Sequence, residues 1–221
     1  MKNIVLLNWS PQMKGSTSLV LLDMLETFFE ANDKIIHIDA GKSILTKNQK
    51  NDYASIKNAD ILVIAFPLYI YCLPASLQEF LVEYKDYLQE ETSATNQTIY
   101  AIINCGFPEA SINTDAALVI KNFSEAIHAE YRFSILIGGG GMLQPMHAFP
   151  AVKRSWNSIK EGMEEIVSDS KKKEEKSDKI IDLKMRKKIF YFFAETNFKY
   201  AAKKNGVSKK GIYAQPYKKG Q

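Results

Sequence analysis

Three hydroxyl side chains in a row, Ser16, Thr17 and Ser18, stand where the first helical pattern of this 221-residue chain begins, with Ser10 and Gly15 just ahead of them. The unpaired N–H groups and partial positive charge of a helix N-terminus suit a phosphate, and hydroxyls add neutral donors without bulk. A plain serine/threonine helix cap has the same composition, so this loop alone supports both readings. Neither G-x-G-x-x-G nor G-x-x-x-x-G-K-[ST] occurs there. Two further loops hold candidate contacts, residues 67–71 (PLYIY) and 104–106 (NCG). Tyr69 and Tyr71 either meet a ligand there or cover the end of a sheet. Gly106 permits close backbone approach. Cys105 reads as a reactive thiol or, at a strand end, as a small buried hydrophobe, and the second is favoured. His37, His128 and His147 show no metal-ligand spacing, and no acid, base or nucleophile of the protein is nominated as catalytic.

Loops of this kind need elements to hold them. Residues 2–8 (KNIVLLN) read as a central strand buried on both faces, followed by apolar residues at helical spacing over 17–30. A second strand is expected at 34–38, while 41–58 is polar and carries no clear period. Residues 60–66 (DILVIAF) are the clearest strand, ended by Pro67, and Pro74 opens a helix to about 87. Strand 98–104, helix 113–128 and strand 133–137 follow, the last cut off by the run 138–141 (GGGG), and a helix spans about 151–167. That glycine run admits a ligand or a partner subunit, or is simply a flexible turn. The alternation implies a five-stranded parallel sheet with helices on both faces. The order 2-1-3-4-5 fits, and so does the opening of a dinucleotide-binding fold; in both, ligands sit beyond the carboxyl ends of the strands.

The bulk composition is that of an ordinary globular protein, 46% hydrophobic and 24% charged. Two cysteines form no disulfide framework, no targeting segment is recognised, and no apolar stretch is long enough to span a membrane, so the cytoplasm is expected. The net charge of +4 conceals an asymmetry, because residues 179–221 hold 12 Lys/Arg against 2 acids. Three parts are therefore expected: a domain over 1–168, a charged linker over 169–178 and a basic, aromatic helical tail over 179–221, helical from 180 to 204. Packing on its own domain or exchange in a dimer is favoured for the tail, over an anionic membrane surface and, last, nucleic acid. Its lysines would also steer an acidic electron-transfer partner.

The loop SPQMKGSTS (10–18) resembles the S-P-R-x-x-G-N-T-S phosphate loop of the NAD(P)H-dependent FMN reductase and flavodoxin-like oxidoreductase families. Ser10, Pro11, Gly15, Thr17 and Ser18 match, whereas Gln12 replaces an arginine and Ser16 an asparagine. Losing the arginine removes a charge-assisted phosphate contact. Residues 60–84 resemble the strand, P-x-Y-x-x-x-x-P-x-x-L-K and helix of the same families, with Pro67, Tyr69, Pro74 and Leu77 matching and Gln78 in place of lysine. The resemblance covers about residues 1–165. It implies a flavodoxin-like α/β domain with FMN held by Ser10, Gln12, Ser16, Thr17 and Ser18 at its phosphate. Pro67, Leu68, Tyr69, Ile70 and Tyr71, with Asn104, Cys105 and Gly106, would lie around the ring. It further implies NAD(P)H as transient electron donor, a flavin, quinone or other small acceptor, and a homodimer. The alternative is a flavodoxin-type electron carrier without small-molecule turnover; a protein that kept the fold and lost the flavin is a third reading.

Overall fold

The apolar runs NIVLLN, ILVIAFP and TIYAIIN form the three central strands of a parallel sheet: β1 (Asn3–Asn8), β3 (Ile61–Pro67) and β4 (Thr98–Asn104). Both faces of a central parallel strand are covered, so the sequence is continuously apolar rather than alternating. A computed structural model describes residues 1–10, 15–90, 96–173 and 176–215. Within them β2 (Lys34–Asp39) pairs with the outer side of β1, β5 (Glu130–Ile137) with β4, and β6 (Lys179–Ile181) with β5. The order is β2-β1-β3-β4-β5-β6.

Helices α1 (Thr17–Glu26) and α7 (Pro150–Lys172) lie on one face, α1 against β1, β3 and β4 and α7 against β5 and β6, with the short α6 (Gly140–Leu143) between β5 and α7 in sequence. The other face carries α3 (Gln49–Lys57), α4 (Ala75–Glu90) and α5 (Thr114–Ala126). Their Ile56, Leu77, Phe80, Tyr84 and Ile120 join Val5, Leu7, Leu62, Ile64 and Phe66 in one buried cluster. Between β2 and α3 the polar segment without a clear period forms α2 (Ala40–Thr46), which starts because the Asp39 carboxylate accepts from Lys42 N at 3.1 Å.

The expected five-stranded sheet is therefore corrected to six strands among the described residues. The extra strand has only three residues, too few to show a period, and its position is set by tertiary contacts. Asp178 accepts from Ser134 N at 2.7 Å and from Tyr131 OH at 2.8 Å, fixing the start of β6 against β5. Next to it, Arg132 holds Asp169 through Nε and Nη2, both at 2.8 Å, and Tyr100 OH donates to the same carboxylate at 2.8 Å. Asp169 is wholly buried, and α7 runs through the expected boundary at 168 to Lys172. The chain divides instead after Leu183 into Met1–Leu183 and Lys184–Gln221. In the second unit α8 (Lys187–Lys204) starts seven residues later than expected, and a 3-10 turn follows at Gly211–Tyr213.

Candidate functional site

A cavity of about 230 Å³ opens where β1, β3 and β4 end. Ser10, Ser16, Thr17 and Ser18 line it from the loop after β1; Pro67, Leu68 and Tyr69 from the loop after β3; and Asn104, Cys105 and Gly106 from the loop after β4. Gly141 adds a wall that the nominated set lacks. No carboxylate lines the cavity among the described residues. The nominated Gln12 lies outside the described residues.

Trp9 fixes the entry to the first loop. Its N donates to Ala65 O at 2.8 Å, its Nε1 donates to Ser76 Oγ at 3.0 Å, and its ring lies 4.7 Å from that of Phe80. The three consecutive hydroxyls then take different roles. Ser16 caps α1 by accepting from Leu19 N at 3.2 Å, which leaves its own proton to donate. Thr17 Oγ1 donates to Gly140 O at 3.1 Å, so that hydroxyl ties α1 to the glycine run. Ser18 is buried and accepts from Asn104 Nδ2 at 3.1 Å, while Nδ2 also donates to Phe66 O at 3.2 Å. The groups suited to meet an anion are the hydroxyls of Ser10 and Ser16, the proton that Ser18 keeps while accepting from Asn104, and the first-turn N–H groups of α1.

The second loop turns sharply. Leu68 N donates to Asn104 O at 2.7 Å, and Tyr69 and Cys72 exchange both backbone bonds at 3.0 Å. The two residues between them, Ile70 and Tyr71, have φ of 50° and 62°. Positive φ at both central positions marks a type I′ hairpin, where Asn and Gly are the usual occupants. A β-branched residue there is strained by roughly 1–3 kcal/mol. Ile70 is 94% exposed, so no packing of its side chain accounts for the strain. Ile70 and Tyr71 do not line the cavity; they stand at its outer edge, where the Tyr71 ring stacks on Phe107 at 6.1 Å and 17°. Phe107 was not among the nominated residues, and its one signal in sequence is its place directly after Gly106.

In the third loop Cys105 is buried, its N donating to Ile137 O at 3.0 Å and its Sγ to Phe107 O at 3.5 Å. Burial pushes the thiol pKa up, consistent with a small packed side chain rather than a nucleophile. The glycine run is held in place by this loop. Gly139, at φ 69°, donates to Phe107 O at 2.6 Å, and Gly140 N donates to Cys105 O at 2.8 Å. A Cβ on Gly138 would come within 2.2 Å of Pro108 O. The end of the first unit closes over the same loop: Gly138 N donates to Ile181 O at 2.9 Å, Leu183 N to Pro108 O at 2.8 Å, and Ala110 N to the Asp182 carboxylate at 2.8 Å. Nothing in the composition of 181–183 signals this role. The assembled site offers uncharged donors at a helix N-terminus, from the loop after β1, and one aromatic ring, Tyr69, from the loop after β3.

The family model described as "Flavodoxin-like fold" matches residues 2–115. Among solved structures the chain is similar to an NADH:FMN oxidoreductase in its apo form, 18% identical with a TM-score of 0.55 over 74% of this chain and 89% of that one. It is similar to an azoreductase from Bacillus anthracis str. Sterne, at 15% identity and a TM-score of 0.52 over 78% and 100%. A third is the FMN-dependent NADH-azoreductase from Bacillus anthracis str. Ames Ancestor in complex with FMN, at 14% identity and 0.53 over 74% and 99%. At these identities the likeness is one of fold. No curated protein matches the chain.

Proposed function

Because this chain belongs to a flavodoxin-like family, we propose that its cavity holds FMN and that the protein is an oxidoreductase carrying electrons from NAD(P)H to a small acceptor such as a flavin or quinone. The observation that carries this reading is the pairing of ends in one cavity: the Ser10 and Ser16 hydroxyls with the α1 N-terminus at one side, and Tyr69 at the other. The residues present fit the group. A phosphate meets neutral donors with no lining carboxylate among the described residues to repel it, and a Cβ on either Gly106 or Gly141 would enter open space beside the cavity. The apolar walls and backbone edges suit a flat ring.

Bound FMN would supply hydride acceptance and onward electron transfer. The chain's own part is to bind and orient. Ser10, Ser16 and the first turn of α1 anchor the phosphate. Asn104 sets the spacing of three loops through Ser18 and the carbonyl of Phe66. The names of the similar oxidoreductase and azoreductase structures, which include FMN and NADH, support the cofactor and the donor.

The test is an absorbance spectrum of the purified chain after incubation with FMN and desalting. Retained flavin bands that bleach on addition of NAD(P)H and recover with a quinone are expected. Retained bands with no bleaching would instead place the chain among electron carriers; no retained flavin overturns the proposal.

A further inference from the structure

Lys184–Gln221 forms a unit of its own whose charge is nearly all of one sign. It contains ten lysines and one arginine against a single acid, Glu195, and Lys199 pairs with that acid at 2.6 Å. On α8, Tyr191, Ala194 and Phe198 recur at the spacing that places them on one helix face. Ile212 and Tyr213 close the other side of an apolar groove of about 400 Å³. The rings are not put away: Phe198 is 76% exposed, and Tyr191 and Tyr213 are also open to solvent. Lys188, Lys203, Lys204, Lys209 and Lys210 are exposed in the same unit.

We infer that this unit docks the protein on an anionic lipid surface. Lysines at a membrane are drawn to acidic headgroups from about a Debye length away. Exposed Tyr and Phe on a basic helix then seat at the headgroup boundary, where one side of each ring is apolar and the other wet. The sequence of this unit holds no nucleic-acid-reading motif, whereas its exposed rings beside lysines suit a headgroup boundary. No helix among the described residues is long and apolar enough to cross a membrane, so the attachment is peripheral. This inference uses no property of the flavin site and stands or falls separately from it.

The experiment is flotation of the full chain with vesicles of phosphatidylcholine alone and of phosphatidylcholine with phosphatidylserine at about 2:1. Partitioning at least about tenfold stronger on the anionic vesicles is expected, and it should be lost near 1 M salt, where the Debye length falls to about 3 Å. Phe198→Trp should add a blue-shifted emission component on anionic vesicles only, and the pair Phe198→Ser with Tyr213→Ser should weaken binding several-fold with all charges intact. Equal partitioning on both vesicles overturns the inference, as does anionic binding that the serine pair leaves unchanged. Stripping from vesicles by duplex nucleic acid would assign the surface to that ligand, and self-association abolished by Phe198→Ser would assign the groove to a second copy. Either result overturns it too.

Discussion

Gly140 leaves Asn104 no room for a further atom, since a Cβ on the glycine would stand 2.5 Å from Asn104 Oδ1 and 3.1 Å from its Cβ. The asparagine cannot yield without releasing Ser18 and the carbonyl of Phe66. Gly140→Ala should therefore destabilise the fold by about 1–3 kcal/mol through overpacking. Gly141→Ala meets nothing within 4 Å and should leave the melting temperature in place. Thermal melts of the two variants test this, and equal melting temperatures would contradict it.

The Ile70–Tyr71 turn makes an opposite prediction. Ile70 is exposed and β-branched at φ 50°, so Ile70→Asn should stabilise by about 1 kcal/mol by suiting the left-handed backbone. Urea unfolding would show a higher midpoint at an unchanged slope. A lower midpoint would mean that the isoleucine makes contacts worth more than the strain.

Asp169 sets the acid limit of the fold. Burial opposes its charge, but the Arg132 guanidinium and the Tyr100 hydroxyl outweigh burial and hold the carboxyl below the usual carboxylate range. A depressed folded pKa contributes stability that is complete above the unfolded value of about 3.9 and is lost as pH falls through the folded one. Asp169→Asn should cost about 3 kcal/mol at neutral pH by removing the buried charge that Arg132 pairs with while its Glu130 contact remains, and should flatten the loss of stability below about pH 4. Denaturant midpoints across pH measure both effects.

Asp182 reaches the site through one bond. Asp182→Ala leaves Ala110 N–H without its acceptor at a cost of about 1–3 kcal/mol. Faster amide exchange over 106–110 and several-fold weaker FMN retention are expected. Asp182→Asn keeps an acceptor oxygen and should restore both. Unchanged exchange in the alanine variant would show that the loop holds its shape without the clamp.

The central strands could be read directly, because a strand covered on both faces must be apolar at every position, as Ile61 to Phe66 are. The cavity opens at the loops that end these strands, where Ser10, Pro67 and Asn104 line it as the loop resemblance to the reductase families implies. What escaped the sequence depends on contacts between distant segments. Helices α2 and α3 bury little beyond Ser43, Tyr53 and Ile56, so no apolar stripe marks them. Thr17 and Ser18 look alike as phosphate donors in sequence, yet Thr17 gives its proton to Gly140 and Ser18 accepts from Asn104, partners more than eighty residues away. β6 is held by Asp178, by the bond from Gly138 N to Ile181 O and, just beyond it, by the bond from Leu183 N to Pro108 O, none of which a three-residue window can contain.

The clamp formed by residues 181–183 also orders events during synthesis. Domains fold as units as the chain emerges, and the earlier strands can pair as soon as they appear. The loop after β4 and the glycine run cannot reach their final hydrogen bonding until Ile181, Asp182 and Leu183 leave the ribosome. A nascent chain halted before that point would carry an unfinished cleft, and the basic segment beyond Leu183 follows only once the cleft can close.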